Sequence, residues 1–165
     1  MVQVSDDQVV EAVLRASRVL VAVAARSLAA VEHDVTLPQY RALVVLASRG
    51  PVRPSELAEA LAVHPSTVTR LCDRLAAKRL VHRGESPANR REVSIRLTPK
   101  GRRLVDAVTA RRRTEIASIV ANIPARERTA TVHALHELGE AADEPADTAW
   151  FTSDTTRSGD PNGDT

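Results

Sequence analysis

Cysteine and aromatic residues are nearly absent from this chain of 165 residues, which contains one Cys, one Tyr, one Trp and one Phe. A single Cys excludes an intrachain disulfide framework and a zinc site built from several Cys. With so few large rings, the core must consist mainly of Leu, Val and Ala, a composition that favours helices. The composition therefore predicts a mostly helical protein of about one domain.

Long hydrophobic runs are also missing. No uncharged apolar run reaches the length of about 18 residues that a membrane-spanning helix requires. The first residues lack the basic start of a secretory signal peptide. We therefore expect a soluble, cytoplasmic protein with no membrane partner.

The net charge of +2 conceals an uneven distribution of charged residues. Residues 49–103 contain 13 bases and 5 acids, whereas residues 143–165 contain six acids and a single Arg. The basic segment predicts a surface that binds phosphates. The alternative is a basic interaction module that meets an acidic protein partner. The last segment is rich in Pro, Gly, Asp, Ser and Thr, which predicts a disordered acidic tail over residues 143–165.

Helix start and stop signals divide the remainder of the chain. Ser5 and the two Asp residues that follow it predict the start of a long helix that continues to about His33. Its polar residues form one narrow stripe, so we expect burial on two sides, by its own domain and by a partner subunit. The other predicted helices cover residues 37–48, 54–61, 65–78, 99–122 and 124–142.

A change to strand periodicity follows the fourth of these helices. Strands are predicted over 81–85 and 92–97, and a turn with a basic tip connects them. Alternation in the second strand predicts that Val93, Ile95 and Leu97 all point inward. The pattern is that of a small hairpin.

The helices predicted over 54–61 and 65–78 are separated by three residues and form a helix-turn-helix candidate. We call the second of them the recognition helix. Its polar arc is a candidate surface for reading DNA, because hydroxyl groups bind bases or phosphates and Arg binds guanine through two hydrogen bonds. Ordinary solvated residues are the alternative. The polar arc contains Ser66, Thr69, Arg70, Asp73 and Arg74, with Thr67 at its edge, and the opposite arc contains Val68, Leu71, Cys72 and Leu75.

This order of segments resembles the winged helix-turn-helix of the MarR family of bacterial regulators. The resemblance covers residues 5–142 and depends on the succession Leu37–Leu43, Ser55–Leu61, Pro65–Leu75, Leu80–Arg83, Asn89–Arg91 and Leu97–Gly101. It implies a mostly α fold with a small β-hairpin wing. It also implies a winged helix-turn-helix region over residues 37–98. An N-terminal dimerisation helix would lie within 1–36, and C-terminal dimerisation helices within 99–142.

The resemblance implies a function as well as a fold. We expect a homodimer that binds double-stranded DNA at a pseudo-palindromic operator, as a repressor that responds to a small-molecule effector. Each recognition helix would enter a major groove and each wing would lie at a minor groove. Repression rather than activation follows from the family alone, and no residue decides between them.

The polar arc and the resemblance together give the candidate DNA-binding residues. By the resemblance, Arg91 enters the minor groove and Arg90 binds a phosphate. The family usually has an acidic residue at the position of Asn89, and often a Ser or Thr helix cap at the positions of Arg53 and His64. His64 is therefore expected either to cap the recognition helix or to contact a phosphate. The candidates are His64, Ser66, Thr67, Thr69, Arg70, Arg74, Arg83, Arg90 and Arg91.

Cys72 offers an alternative function, a DNA-binding regulator that senses oxidants. Relatives that respond to peroxides use a Cys, but they place it in the first helix. Cys72 instead lies on the apolar arc of the recognition helix, which favours a small buried residue. The segment His33-Asp34 lies near the ligand cleft of related proteins, and the sequence identifies no effector.

Two His residues suggest a further alternative. His133 and His136 could share a metal ion with Glu137 or Glu140, although solvated side chains are the favoured interpretation. Sequence motifs of hydrolases, phosphate-binding loops and metalloproteases are absent. We therefore predict no enzyme activity, no cofactor and no metal site.

Overall fold

The structure is a computed structural model that describes residues 4–32, 34–85 and 93–142. The chain forms two compact units, residues 1–122 and residues 123–165. None of the helices in the described part is long and apolar enough to cross a membrane. The elements are α1 (Asp6–Ala29), α2 (Leu37–Arg49), α3 (Pro54–Leu61), α4 (Pro65–Ala77), β1 (Val81–Glu85), β2 (Val93–Leu97), α5 (Pro99–Ala121) and α6 (Ala125–Ala141).

This architecture confirms the predicted fold, mostly α with a two-stranded hairpin. The predicted hairpin turn, the tail over residues 143–165 and residue His33 lie outside the described residues.

Side-chain caps begin several helices where the sequence predicts them. The Ser5 hydroxyl accepts from the Gln8 backbone N–H at 3.3 Å, and the Gln8 side chain accepts from the Ser5 N–H at 2.9 Å. Thr36 and Gln39 make the same reciprocal pair at the start of α2. Such pairs satisfy backbone donors that have no partner within the helix. At the end of α2, Gly50 adopts a φ of 77°, a conformation that favours glycine.

The hydrophobic core of the first unit is aliphatic, as the shortage of aromatic residues requires. It is built where the inner faces of α2, α3, α4 and α5 meet. Burial of large aliphatic side chains contributes about 1.5–3 kcal/mol each relative to exposure. Fully buried members include Leu43, Leu46, Leu57, Val68, Leu75, Val105 and Val108.

The C-terminal end of α4 is held by the start of α5. The Thr98 hydroxyl donates to the Arg79 carbonyl at 2.7 Å, and the Lys100 ammonium donates to the Lys78 carbonyl at 3.2 Å. Gly101 approaches the Leu80 backbone so closely that a Cβ atom there would lie 2.1 Å from the Leu80 carbonyl oxygen. These contacts hold the C-terminal end of α4 against the start of α5.

The hairpin pairs β1 with β2 in antiparallel register, with Val81 opposite Leu97 and Glu85 opposite Val93. Ile95 is buried, and its backbone also forms a two-bond bridge with Val52, at 3.0 and 2.8 Å. The bridge ties the middle of β2 to the segment between α2 and α3. The sequence did not predict it, because a single residue carries no periodicity.

One prediction about the hairpin is wrong. Val93 does not point into the core but is 43% exposed, whereas its neighbour Ser94 is buried. The pair Glu85–Val93 lies at the end of the described ladder farthest from the helices, two residues beyond the buried Ile95. Alternation along a strand shows which residues share a face of the strand. It does not show how far along that face the core extends.

Helix α1 packs on α5 through its C-terminal part. The Arg26 guanidinium donates twice to one oxygen of the Glu115 carboxylate, at 2.9 and 3.2 Å. The buried Ser27 hydroxyl donates to the other oxygen at 3.3 Å. Closer to the N-terminus, α1 exposes a series of large apolar side chains, namely Val9, Val10, Leu14, Val19, Leu20 and Val21.

The second unit contains α6. No residue of α6 is buried, and it exposes Val132, Leu135 and Leu138. Their spacing of three residues places them on adjoining parts of one helix surface.

Candidate nucleic-acid interface

Helix α4 separates its polar and apolar residues as the helical wheel predicts. Val68, Cys72 and Leu75 are buried, and Leu71 is partly buried. The opposite arc is exposed, and we call it the outward arc. It contains Ser66, Thr67, Thr69, Arg70, Asp73 and Arg74.

His64 caps the N-terminus of α4. Its Nδ1 atom accepts from the Ser66 backbone N–H at 3.3 Å and lies 2.9 Å from the Ser66 Oγ. Of the two roles that the sequence allowed for His64, the structure shows the cap. A side-chain acceptor at this position stabilises a helix by about 0.5–2 kcal/mol.

Another hydroxyl of the outward arc, that of Thr69, also has a partner within the protein. The Thr69 Oγ1 donates to the Pro65 carbonyl, one turn earlier, at 3.3 Å. The hydroxyls of Ser66 and Thr69 are therefore both engaged within the first turn and a half of α4.

Arg83 connects the hairpin to α4. It lies on β1, and its Nη1 atom is 3.7 Å from the Asp73 Oδ1 on the outward arc. Both side chains are largely solvent-exposed, so the pair orients the Arg83 guanidinium more than it stabilises the fold. The sequence placed Asp73 on the arc but contained no indication of this contact.

A shallow concave surface of about 300 Å³ lies between α4 and the start of α2. Arg70 and Arg74 line it from α4, and Thr36 and Gln39 line it from α2. Two Arg residues thus line one groove. Positive charge on a concave surface concentrates the field that attracts anions.

At the start of α3, Arg53 replaces the expected cap with an ion pair. The Glu56 carboxylate accepts from the Arg53 backbone N–H at 2.7 Å and from the Arg53 guanidinium at 2.8 Å. These hydrogen bonds from Arg53 hold the pKa of Glu56 below its usual value.

Cys72 is the buried residue that its place on the apolar arc favours. It is 3% exposed, and burial raises the pKa of its thiol to about 11. The nearby Arg83 lowers this pKa less than burial raises it. Because the thiolate is the reactive form, the structure gives no support to the oxidant-sensing alternative.

The two His residues of α6 form no metal site with their neighbours. His133 Nδ1 lies 3.7 Å from Glu137 Oε1, and both side chains are exposed. Across residues 4–32, 34–85 and 93–142, no group of three His, Cys, Asp or Glu side chains is arranged to hold a metal ion. The candidate residues Arg90 and Arg91, like Asn89, lie outside the described part of the chain.

The structure also reveals a cavity that sequence reasoning missed. It measures about 500 Å³, and its lining comes from α1, α2 and α5, elements too far apart in sequence to form a motif. Within the described residues, the Nε of Arg112 is buried and has no hydrogen-bond acceptor. The lining residues are Leu20, Val21, Ala24, Leu37, Pro38, Tyr40, Arg41, Val44 and Arg112.

Comparisons with known proteins agree with this geometry. Residues 33–92 match the sequence model of the MarR family. The chain is 32% identical over 112 residues to the HTH-type transcriptional repressor MdtR of Bacillus subtilis, an alignment that covers 68% of this chain and 72% of MdtR. The curated relatives are transcriptional regulators, which confirms the prediction that the protein is a regulator and not an enzyme.

Two solved structures extend the likeness over most of the chain. The crystal structure of RV1404 from Mycobacterium tuberculosis is 43% identical, with a TM-score of 0.80, and the match covers 88% of this chain and 99% of that one. The structure of BpsR from Bordetella bronchiseptica, described for regulation of its DNA binding by 6-hydroxynicotinic acid, is 27% identical with a TM-score of 0.60. That match covers 84% of this chain and 97% of BpsR. The chain belongs to the MarR family of transcriptional regulators.

Proposed function

We propose that the protein is a homodimeric, sequence-specific repressor that binds double-stranded DNA and responds to a small-molecule effector. The outward arc of α4 is the observation that carries this proposal. It presents hydroxyls and the guanidinium groups of Arg70 and Arg74 on a helix whose other face is fixed in the core. A rigid helix with such a face fits a major groove.

Different Arg residues are proposed to make different kinds of contact with DNA. Arg70 and Arg74 reach guanine edges or phosphates from α4, and Arg83 contacts a phosphate beside the groove. By the family resemblance, Arg91 would bind in a minor groove and Arg90 would bind a phosphate. Negative potential in a narrow A·T-rich minor groove favours an inserted guanidinium. These Arg contacts to DNA are charge-assisted, so the affinity for DNA depends on the salt concentration.

The exposed apolar face of α1 supports the homodimer. Single apolar side chains are common on a protein surface, but six large ones on the same helix suggest an interaction site. A second copy of α1 would cover them. Two recognition helices related by a two-fold axis would then contact half-sites about 10 bp apart.

Repression is supported by the names of the relatives, since MdtR is called a transcriptional repressor. A dimer bound at a promoter would exclude RNA polymerase by occupying its site. This mechanism requires only the DNA contacts of α4 and the wing, and no further surface for a protein partner.

The apolar cavity between α1, α2 and α5 supports the response to an effector. Its lining is mostly aliphatic and includes Arg112, whose Nε is buried and has no acceptor. Glu115, one turn after Arg112, is already engaged by Arg26 and Ser27. A buried donor without a partner costs free energy that an anionic ligand would recover. We infer a small apolar carboxylate as the effector class.

Recovery of bound genomic fragments by the purified protein tests the DNA-binding proposal. We expect enrichment of a short pseudo-palindrome, with affinity that falls steeply as salt rises and with duplex DNA preferred over heparin. Equal binding to operator, scrambled duplex and heparin would instead favour the acidic-partner alternative and contradict sequence-specific recognition.

The effector proposal needs a separate test. Benzoate and 6-hydroxynicotinate serve as probes, the second because 6-hydroxynicotinic acid regulates DNA binding by BpsR. We expect at least one to weaken operator binding by the parent protein, and Arg112→Met to reduce that response. Arg111→Met, at an exposed neighbour on the same helix, is the matched control. An unchanged response in Arg112→Met would contradict a role for the cavity.

A further inference from the structure

The two engaged hydroxyls of α4 restrict what this helix can recognise. Ser66 and Thr69 both lie on the outward arc, close to the N-terminus of α4. A hydroxyl normally donates one hydrogen bond and accepts two, and the hydrogen rotates to suit its surroundings. Here the protein provides each hydroxyl with an acceptor before any ligand binds.

The cap of α4 determines the direction of the Ser66 hydrogen bond. The backbone N–H of Ser66 can only donate, so the His64 Nδ1 atom that it contacts must be an acceptor. The ring hydrogen then lies on Nε2. With that assignment, the Ser66 hydroxyl, 2.9 Å from the same Nδ1, shares this acceptor as a second donor. Its two lone pairs remain for a ligand.

Thr69 reaches the same state through the backbone. Its hydroxyl donates to the Pro65 carbonyl at 3.3 Å, and a carbonyl oxygen can only accept. Pro at position 65 lacks an N–H and belongs to the first turn of α4. The Thr69 oxygen is exposed on the outward arc and offers lone pairs, as the Ser66 oxygen does.

We propose that Ser66 and Thr69 act as acceptor-only contacts and that they select the exocyclic amino groups of adenine or cytosine in the major groove. His64 is the positioning residue that keeps Ser66 in this state. The inference rests on the proposed function, since it requires α4 to lie in a major groove.

The chemistry of the groove makes the selection specific. Only adenine N6 and cytosine N4 donate hydrogen bonds there, whereas guanine O6 and N7 and thymine O4 accept. Phosphate oxygens also accept, so an acceptor-only hydroxyl gains nothing from the DNA backbone. Arg70 and Arg74 have the opposite polarity, because guanidinium groups only donate. The arc thus combines acceptors near the start of α4 with donors farther along it.

Deletion of single groups from both protein and DNA tests the proposal. Scanning all four bases through an operator half-site first locates the positions at which Ser66→Ala and Thr69→Val relax the preference. At those positions, purine replaces adenine, or 2-pyrimidinone replaces cytosine, to remove the amino group alone. In parallel duplexes, 2-aminopurine replaces guanine, or 5-methyl-2-pyrimidinone replaces thymine, to remove the keto oxygen from the major groove.

We expect loss of the amino group to weaken binding by the parent roughly 2- to 12-fold, the range for one net hydrogen bond. The matching variant, Ser66→Ala or Thr69→Val, should lose nothing further. Loss of the keto oxygen should affect parent and variant equally. His64→Asn, which keeps an acceptor at the cap, should behave as the parent does. His64→Ala should weaken the amino preference, because the freed Ser66 hydroxyl can also donate.

Two results would overturn the inference while leaving DNA binding intact. If loss of a keto oxygen weakened binding by the parent but not by Ser66→Ala or Thr69→Val, the corresponding hydroxyl would be a donor. An equal loss of affinity on every duplex would show that it contacts phosphate. Failure of the parent to prefer any duplex would contradict the proposed function itself, which separates the two failures. Melting curves of each variant identify any that is unfolded.

Discussion

The outward arc of α4 and the exposed face of α1 are both solvent-accessible, but they expose opposite kinds of chemistry. The arc carries hydroxyls and guanidinium groups, and the hydroxyls of Ser66 and Thr69 already have partners in the protein. The face of α1 carries Val and Leu side chains, among them Val10 at 55% and Leu14 at 46% exposed. Exposure to water is favourable for the polar arc and unfavourable for the apolar face of α1.

The difference indicates what kind of partner each surface fits. A polar, positively charged arc remains stable in water and gains affinity from a polyanion, chiefly by releasing counterions. An apolar helix face gains free energy only when another apolar surface covers it. The first surface is therefore suited to DNA, and the second to a second copy of the chain.

Loss of the apolar surface should produce the largest effect. We expect the parent to be a dimer at micromolar concentration and a Val10→Glu, Leu14→Glu double variant to be monomeric. Operator affinity should fall by about 100-fold or more, because the two half-sites are then bound independently. Glu11→Gln, on an exposed polar position of the same helix, is the control. Sedimentation equilibrium is the measurement, and a monomeric parent would refute the assignment of this face.

Adding one methyl group at the α4–α5 junction should have the next largest effect. In Gly101→Ala, the new Cβ meets the Leu80 carbonyl, and we expect a loss of about 1–3 kcal/mol in the free energy of unfolding. Gly139→Ala is the matched control, because nothing lies within 4 Å of its Cβ position. That helical control should gain up to about 1 kcal/mol. Thermal unfolding that ranks the two variants in the opposite order would show that the junction does not hold α4.

The ion pair between α4 and the hairpin should contribute less. Removal of the Asp73 carboxylate in Asp73→Asn should change operator affinity by no more than about 1 kcal/mol, the range for exposed pairs. Arg83→Gln should reduce affinity more, since it also removes the proposed phosphate contact. A double-mutant cycle in operator binding measures the coupling. Coupling of zero would mean that Asp73 does not orient Arg83.

Cys72 should have the smallest effect on DNA binding. Because burial raises the pKa of its thiol to about 11, the native protein should resist alkylation by iodoacetamide at pH 8. Peroxide should leave operator affinity unchanged. Rapid alkylation without unfolding, followed by release from DNA, would restore the oxidant-sensing alternative.

The same residue gives a pH dependence of stability. The folded protein retains the thiol proton up to a higher pH than the unfolded chain, in which the ordinary pKa is 9.0. The contribution of Cys72 to stability is therefore complete below pH 9 and declines as pH rises towards 11. Cys72→Ala should lack this decline in thermal unfolding above pH 9, and an identical decline in both proteins would contradict the burial argument.

Local signals made most of the fold predictable from the sequence. Proline at the first turn of α3 and α4, and the Ser5 and Thr98 caps, determine where helices begin without reference to tertiary structure. The apolar arc of α4 likewise needed only helical spacing. What failed or was missed depends on distant partners: the exposure of Val93, the Val52–Ile95 bridge and the cavity beside Arg112.

The residues of the outward arc were predictable from the sequence, but the hydrogen-bond polarity of their hydroxyls was not. Spacing placed Ser66 and Thr69 on one arc, but a hydroxyl does not show from sequence whether it will donate or accept. That polarity depends on where the His64 ring and the Pro65 carbonyl lie. The sequence allowed His64 either to cap α4 or to contact a phosphate. It could not decide between these roles, because the position of the ring over the first turn of α4 is a property of the folded chain.

Arg70→Ala, tested in parallel on operator and scrambled duplexes over a salt series, examines the central claim most directly. Arg70 is exposed on the outward arc and has no role in the core. If α4 reads bases, affinity should fall by about 1–3 kcal/mol on the operator and much less on scrambled DNA. Equal losses on both duplexes at every salt concentration would show that the outward arc contacts only phosphate, and would contradict base recognition by α4.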